Sequence, residues 1–351
     1  MTGEKWSKEQ AAEAHAARVE AAQAVLADAV GNLHSSEDWT RFLGFQSRLY
    51  DYSANNVLLI IAQYQQLFEA GKVPTPVPSY VASYRKWQEL GRQVGRGQSG
   101  LAIIAPMRGV ARVATDEDGT VLRVLRGEET AAPGEQEARK QWMRGFTVEK
   151  VFAAEQTSGE PIPTPPAPRL LAGEAPRGLG EAVLKLIESR GYTVSTVPDA
   201  RHLQGANGRT DFAAKTVQVR ADIDDAAMVK TAIHEAAHVL LHHPDDEKNQ
   251  PLSRSHREVE AESVAFIVAR THGMPTDDYS FPYVAAWAGD EPQKVIAKTA
   301  QRVAATAKDI IAVSPAEHSH GGKAAVRLTP PTRTAAPHIA AADRPAAAIG
   351  A

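Results

Sequence analysis

The sequence lacks cysteine entirely, and it lacks any apolar stretch long enough to cross a membrane. Without cysteine the chain can form neither disulfides nor thiolate metal ligands, so a metal site would have to use histidine and carboxylate. The longest apolar run, Val57–Ala62, is far shorter than the roughly twenty residues that span a bilayer. Residues 1–30 show no apolar core of a secretion signal. We therefore expect a cytoplasmic protein without a membrane partner.

Neither sign of charge dominates the chain. Its 351 residues carry a formal net charge of −3, with 43% hydrophobic and 23% charged residues, which is ordinary for a soluble globular protein. Proline-rich stretches at 73–78 and 161–168 and an Ala/Pro-rich end at 314–351 divide the sequence. From these breaks we predict a partly flexible N-terminal helix at 1–34, a first domain at 35–157, a linker at 158–178, a second domain at 179–312 and a disordered tail at 313–351.

The most informative stretch is His-Glu-x-x-His, formed by His234, Glu235 and His238. Residues 226–241 contain neither glycine nor proline and follow three aspartates that can cap a helix, so the motif is predicted to be helical. Residues four apart share one helix face, which directs both imidazoles at one point with Glu235 beside it. This pattern is typical of zinc metallopeptidases, with His234 and His238 as ligands and Glu235 as the catalytic base.

A zinc site of this kind needs a third protein ligand and an open position for water. Nineteen residues separate His238 from Glu258, which begins a second predicted helix, and this is the spacing of a gluzincin. We predict Glu258 as the third ligand and Glu262, one turn later, as the acceptor of a ligand histidine's free N–H group. His242 lies about 12 Å along the helix from His234, too far to be a ligand. With His243 it is predicted to be a cation at the helix end.

The predicted chemistry follows from these residues. Bound zinc lowers the pKa of its water towards neutrality, and Glu235 would take the proton as the hydroxide attacks a polarised carbonyl group. Peptide hydrolysis is the expected reaction, while the sequence identifies no particular protein or peptide substrate. His256, Tyr279 and Tyr283 lie in the nearby sequence, but none of them is assigned as the group that stabilises the oxyanion.

The N-terminal half combines predicted helices with short strands. Helices are expected at 39–51, 53–70 and 80–90, and strands at 92–94 and 101–106, joined by a glycine-containing loop. Six basic residues and one acid lie between Tyr80 and Arg112. Arginines interleaved with aromatic rings suit single-stranded nucleic acid, because bases stack on the rings while guanidinium groups follow the phosphates. Core aromatic residues with a solvated basic face would give the same composition.

Short motifs in this half resemble the single-stranded-DNA-binding domain of ArdC-type antirestriction proteins. They are Tyr52–Asn56, Ser83–Trp87, Gly91–Pro106 and Val151–Thr157. The resemblance extends over about residues 36–312, where the family's zincin-like domain matches the histidine motif and Glu258–Glu262. It implies an α+β fold in which N-terminal helices pack on a small antiparallel sheet, linked to a zincin-like α+β metallopeptidase domain related to the ImmA/IrrE peptidases. The segment 116–141, which resembles an acidic hairpin, and the tail depart from the family pattern.

The same resemblance implies Zn²⁺ as cofactor, single-stranded DNA as partner and an origin on a mobile element. The residues that it assigns to DNA binding are Asn55, Tyr84, Arg85, Trp87, Arg92 and Arg96. Two alternatives stay open. One is a regulatory metalloprotease of the ImmA/IrrE type that cleaves a repressor, and the other is a DNA-binding module whose zinc site is structural.

Overall fold

The computed structural model describes residues 8–33, 35–127, 129–162, 173–245, 252–277, 279, 281 and 292–315. The helices are α1 Lys8–Gly31, α2 Ser36–Arg48, α3 Ala54–Glu69, α4 Tyr84–Glu89, α5 Leu179–Ser189, α6 Asp225–Leu241, α7 Arg254–Thr271 and α8 Pro292–Val313. The strands are β1 Val81–Ser83, β2 Arg92–Val94, β3 Leu101–Thr115, β4 Val121–Leu125, β5 Gln136–Ala153, β6 Thr157–Gly159, β7 Thr193–Val197, β8 Gly208–Asp211 and β9 Thr216–Arg220.

This arrangement confirms the predicted α+β class. Within the ranges given above, no helix is long and apolar enough to cross a bilayer. The predicted disordered tail at 313–351 lies outside the described residues from 316 onwards, as do residues 163–172 of the predicted linker.

Four strands form an antiparallel sheet in the order β1-β5-β3-β4, and β3 and β5 pair along their whole length with one bulge. Helix α3 covers the free edge of the first part of β3. The Asn56 amide donates to the carbonyl of Ile104 and accepts from its N–H, both at 2.9 Å. The Gln63 amide makes the same two contacts with Ala102. The predicted packing of N-terminal helices on a small antiparallel sheet is confirmed.

Serine residues cap the N-terminal helices. The Ser35 hydroxyl accepts from the backbone N–H of Asp38, whose carboxylate accepts from the backbone N–H of Ser35. The Ser53 hydroxyl accepts from the backbone N–H of Asn56 at the start of α3. Each contact satisfies a backbone donor that the first turn of a helix leaves unpaired. Both α2 and α3 therefore lie close to the bounds expected from their apolar patterns.

The region around residue 80 departs from the prediction of one helix at 80–90. Val81–Ser83 form β1 and pair with the end of β5, so that only Tyr84–Glu89 are helical. Strand β2 pairs with β6 and not with β3, so the strands predicted at 92–94 and 101–106 do not form a hairpin with each other. In both cases pairing with the distant segment 151–159 overrides the local pattern.

A second sheet supports the C-terminal helices. Its order is β7-β9-β8, with β7 parallel and β8 antiparallel to β9, and α6 packs against β8 and β9. The Asp224 carboxylate caps α6 by accepting from the backbone N–H of Ala227 at 2.8 Å. Helix α7 packs against α6, and α8 packs against α7. The helix that carries the histidine motif is thus held between a sheet and two other helices.

The buried core continues across the predicted domain boundary, because α2 packs on α7 and α3 packs on α8. The Trp39 indole N–H donates to the Ser263 hydroxyl at 2.9 Å, and both side chains are fully buried. The Thr271 hydroxyl donates to the backbone carbonyl of Ser47 at 2.9 Å. The division at 35–157 and 179–312 stays a prediction, and the two parts share one core.

Candidate functional site

The residues predicted as metal ligands lie close together where α6 packs on α7. His234 Nε2 lies 3.1 Å from His238 Nε2. Glu258 Oε2 lies 3.4 Å from His234 Nε2 and 3.6 Å from His238 Nε2. These three side chains offer a group of donor atoms that could hold a metal ion.

The size of this donor triangle suits a tetrahedral site. Ligand atoms about 2.0–2.1 Å from a zinc-sized ion in tetrahedral geometry lie about 3.3 Å from one another. The three observed separations are 3.1, 3.4 and 3.6 Å. Two imidazoles and one carboxylate are donors that zinc and several other first-row divalent ions accept. The residues therefore fit a metal ion and leave one tetrahedral position for water or substrate.

The electrostatics of the donor triangle favour a positive charge. Burial lowers the pKa of His234, but hydrogen bonds with Glu258 and Glu262 outweigh burial and raise this pKa to about 10. Hydrogen bonds with His234 and His238 hold the pKa of Glu258 far below its ordinary value. Glu258 is therefore ionised at neutral pH, and the site attracts a cation.

Glu262 lies against the outer nitrogen of one donor histidine. Its Oε2 is 3.1 Å from His234 Nδ1. Because His234 Nε2 faces the other donors, Nδ1 can carry the proton and donate it to the carboxylate. This contact fixes the orientation of the ring. The role of Glu262 in metal binding stays a prediction.

Glu235 is buried beside the donor triangle and has a partner that the sequence analysis missed. The Thr210 hydroxyl on β8 donates to Glu235 Oε2 at 2.6 Å. Strand β8 approaches α6 so closely that a Cβ atom at Gly208 would lie 2.6 Å from both Glu235 Oε1 and Thr231 Cγ2. Glycine at this position permits the approach. No local pattern links β8 to the histidine motif, so sequence alone offered no signal for Thr210.

His242 is not the solvated cation that was predicted at the end of α6. Its side chain is completely buried, with Nδ1 2.9 Å from His238 Nδ1 and Nε2 3.0 Å from Glu260 Oε2. Burial lowers the pKa of His242, so the ring is neutral at pH 7. Its spacing of four residues from His238 was a usable signal, because such residues are neighbours on a helix.

The residues left unassigned as oxyanion stabilisers have different surroundings. His256 is buried, and its Nε2 lies 2.7 Å from the Thr299 hydroxyl. Burial and the nearby charge of Glu262 raise the pKa of Tyr279. Tyr279 therefore stays a protonated hydrogen-bond donor near the carboxylates of the site. Tyr283 lies outside the described residues.

Two residues predicted to bind DNA are engaged in contacts within the fold, one of them fully buried. Trp87 is fully buried, and its indole N–H donates to the carbonyl of Phe152 at 2.9 Å. The guanidinium carbon of Arg92 lies 5.7 Å from the centre of the Trp87 ring, and this group also donates to the hydroxyl and the carbonyl of Thr157. A base cannot stack on a ring that is covered in this way. The prediction that Trp87 stacks on DNA is therefore wrong, and Arg92 holds this corner of the fold together.

The other four predicted DNA-binding residues are more accessible. Arg85 and Arg96 are exposed, and the side chain of Tyr84 is exposed to 42%. The Asn55 amide oxygen accepts from the Gln301 amide of α8 at 3.1 Å, so Asn55 faces the C-terminal helix. A role in DNA binding stays a prediction for these residues.

A second accessible surface, which the sequence analysis missed, lies on the far part of the β3–β5 pair. Its exposed apolar side chains, which lie on both faces of the strand pair, are Met107, Val110, Trp142, Met143 and Phe146. A Cβ atom at Gly109 would lie 3.0 Å from the Trp142 ring and 2.7 Å from Arg144 Cδ, so an indole and an arginine stem lie side by side over the glycine. Arg108, Arg139 and Arg144 are exposed, and no described carboxylate lies within ion-pair distance of them. We call this the hairpin surface.

Comparison with known proteins finds a family model that matches part of the chain. The sequence model of the N-terminal domain of anti-restriction factor ArdC matches residues 11–150, a range that runs from α1 into β5. An uncharacterized protein of Bacillus anthracis, pXO2-81, is 23% identical over 282 residues, which are 75% of this chain and 45% of that protein. The chain therefore spans less than half the length of this relative.

Two crystal structures of the antirestriction ArdC protein from plasmid R388 are also similar. The metal-free structure is 20% identical, with 74% of this chain and 85% of the other covered and a TM-score of 0.41. The Mn(II)-bound structure is 18% identical, with 78% of this chain and 98% of the other covered and a TM-score of 0.38.

Proposed function

We propose that this chain is an ArdC-type antirestriction protein, because residues 11–150 match the N-terminal domain of anti-restriction factor ArdC, and that it has two linked activities. The N-terminal sheet binds single-stranded DNA. The site on α6 and α7 binds zinc through His234, His238 and Glu258 and hydrolyses peptide bonds with Glu235 as the base.

The observation that carries the peptidase proposal is a three-membered donor triangle with a buried carboxylate beside it. A structural zinc site is closed by four protein ligands, whereas a catalytic site keeps one position open. Among the residues that the structure describes, the donor group around His234 has three members. Glu235 lies next to it without being one of them. This arrangement favours catalysis over a structural zinc site.

Each side chain has a separate task in this proposal. Zinc, when bound, polarises a carbonyl group and lowers the pKa of its water towards about 7. Glu235 accepts and releases the proton. The Thr210 hydroxyl, which donates to Oε2, holds the carboxylate in place for this transfer. Glu262 keeps His234 Nδ1 protonated, so that the lone pair of Nε2 points at the other donors.

Two substitutions in the full chain test the metal site and the base separately. Glu258→Ala should lose bound metal, while Glu235→Gln should keep it and lower the hydrolysis of a loosely folded protein by about 10²- to 10⁴-fold. Metal content is measured by mass spectrometry after dialysis against zinc, with manganese and cobalt in parallel because the donor set accepts several ions. A Glu258→Ala protein with stoichiometric zinc would overturn the ligand assignment. Unchanged hydrolysis by Glu235→Gln would overturn the role of the base.

For the DNA-binding activity, the hairpin surface supplies what single-stranded DNA requires. Bases stack on exposed rings in a way that tolerates any sequence, and arginines neutralise phosphates. Trp142 is exposed to 48%, and Arg144 lies beside it. Arg108 and Arg139, on the opposite face of the strand pair, add positive charge that no described acid neutralises. The buried Trp87 supplies no open ring face.

Fluorescence anisotropy with a labelled oligothymidine distinguishes the hairpin surface from the surface around Arg85. Trp142→Ala should weaken binding by about 1–3 kcal/mol. Arg144→Ala should reduce the slope of log affinity against log salt concentration by about 1, the change expected for one lost phosphate contact. Leu122→Ala is the matched control, because Leu122 on β4 is exposed to 52% and has no ring. If Trp142→Ala binds the oligonucleotide normally and Arg85→Ala binds it weakly, the DNA interface lies around Arg85 and not on the hairpin surface.

A further inference from the structure

A chain of buried polar groups leads away from the donor triangle to the C-terminal helix. His238 Nδ1 contacts His242 Nδ1 at 2.9 Å, and His242 Nε2 contacts Glu260 Oε2 at 3.0 Å. Both His242 and Glu260 have completely buried side chains. We call these residues, together with Arg302, the histidine relay.

The relay has one consistent arrangement of protons if His238 is a metal ligand. A metal on His238 Nε2 needs the lone pair of that atom, so the ring proton lies on Nδ1 and is donated to His242 Nδ1. His242 then carries its own proton on Nε2 and donates it to Glu260. Each ring has one proton in this scheme, and each short contact joins one donor to one acceptor.

Arg302 fixes the far end of the relay. Its guanidinium donates to Glu260 Oε1 at 2.9 Å and to Oε2 at 3.1 Å, a two-pronged contact that sets the plane of the carboxylate. The same guanidinium donates to the carbonyl of Leu241, the last residue of α6, at 2.9 Å. Arg302 belongs to α8, so this helix is tied directly to the helix that carries the two histidines.

The burial of the relay indicates more than packing. Taking a carboxylate and a guanidinium out of water costs several kcal/mol per ion, and apolar residues of similar volume often stabilise a fold at least as well. A buried carboxylate that orients a histidine through its free N–H is a recurrent feature of metal sites. In this chain a second histidine is inserted between the carboxylate and the donor ring.

We propose that His242 is a positioning residue for metal binding, which holds the His238 ring in place through Glu260 and Arg302. The inference rests on the proposed role of His238 as a ligand. It makes the affinity of the site for metal depend on helix α8, which supplies no donor to the triangle. The His234 ring is instead oriented by Glu262, whose side chain is partly exposed.

Zinc affinity, measured by competition with a chromophoric chelator, tests this proposal. His242→Leu should weaken zinc binding by about 10- to 100-fold. His242→Gln should restore most of the affinity, because its amide can accept from His238 and donate to Glu260. His272→Gln is the control. His272 is also buried, but its ring nitrogens lie 2.8 Å from the Val268 carbonyl and from the Ser314 hydroxyl at the far end of α7, so its substitution should leave zinc affinity unchanged even if it lowers stability.

Nitrogen-15 spectra of the zinc-loaded wild type test the proton arrangement without any substitution. We expect protons on His238 Nδ1 and His242 Nε2. A proton on His242 Nδ1, or wild-type zinc affinity in a folded His242→Leu protein, would overturn the proposal. Failure of the metal site itself would look different, because the wild type would then bind no zinc or Glu258→Ala would bind it normally.

Discussion

The donor triangle and the hairpin surface differ in how their polar groups are held. Around the triangle, His234, His238 and Glu235 each have a partner that fixes the side chain, and none of the three is exposed. On the hairpin surface, Trp142 and Arg144 lie in solvent over a glycine. The first arrangement suits a ligand of fixed size and geometry. The second suits a flexible polymer whose bases and phosphates can adjust to it.

This difference shows that residue type alone does not locate a binding surface. Trp87 on helix α4 and Trp142 on strand β5 are the same residue type, yet the first is fully buried and the second is exposed to 48%. A ring can stack on a base only if its face is free. The accessible tryptophan, and not the one inside the family motif, is therefore the better candidate for contact with DNA.

The largest expected effect separates these two tryptophans. Trp87→Ala should lower the free energy of unfolding by about 3–5 kcal/mol, because it leaves a cavity and an unpaired carbonyl at Phe152. Trp142→Ala should change stability by less than about 0.5 kcal/mol, as is usual at the surface. Urea denaturation of both variants checks this prediction. Equal losses of stability would remove the contrast between the two regions.

The local sequence predicted which residues form the donor triangle but not which tryptophan is exposed, for a physical reason. His234 and His238 share a face because of helix geometry, and Glu258 lies near the start of a helix that packs on theirs. Exposure of Trp142 depends on where the β3–β5 pair lies relative to the helices. That position is set by tertiary packing, which no short motif contains. Thr210 was missed for the same reason, since its strand meets α6 only in the folded chain.

The second prediction concerns the close approach of β8 to α6. Gly208→Ala should destabilise the protein by about 1–3 kcal/mol and displace Glu235, because the new methyl group would overlap Glu235 Oε1 and Thr231 Cγ2. Gly44→Ala is the matched control. A Cβ at Gly44 would meet only Arg270, at 3.7 Å, and alanine favours a helix interior. In thermal unfolding, Gly208→Ala should therefore lower the Tm, whereas Gly44→Ala should lower it much less or raise it.

The third prediction uses pH to sharpen the comparison between metal and DNA binding. The pKa of His234 is raised to about 10 without metal, so the ring is protonated at pH 7 and zinc must displace that proton. Zinc affinity should therefore rise by up to about tenfold for each pH unit between pH 7 and 9. Affinity for oligothymidine should stay nearly constant, because arginines do not titrate in this range. A flat zinc profile would contradict the assignment of His234.

The same raised pKa affects the stability of the metal-free protein. A group whose pKa is higher in the folded state stabilises that state fully below its ordinary pKa of 6.5. This contribution is lost as the pH rises through about 10. The metal-free protein should therefore lose stability over this interval, whereas zinc-loaded protein should not. Parallel urea titrations with and without a chelator measure the difference.

The smallest expected effect concerns the orientation of Glu235. Thr210→Val removes the hydroxyl that donates to Glu235 Oε2 while keeping a branched side chain. Hydrolysis should fall by about three- to tenfold with zinc content unchanged, since one neutral hydrogen bond contributes about 1 kcal/mol. Thr216→Val, on the neighbouring strand β9, is a matched control. A loss of zinc in Thr210→Val would mean that the threonine supports the ligands and not the base.

The packing of α2 on α7 makes metal supply relevant to the lifetime of the whole chain if the site binds zinc as proposed. An ion that binds only the folded state stabilises everything that unfolds with its site. The Trp39 indole is hydrogen-bonded to Ser263 on the helix that carries Glu258, so loss of the ion would open the N-terminal half to proteolytic digestion although that half supplies no member of the donor triangle. On that proposal, scarcity of one trace element would shorten the lifetime of both halves together.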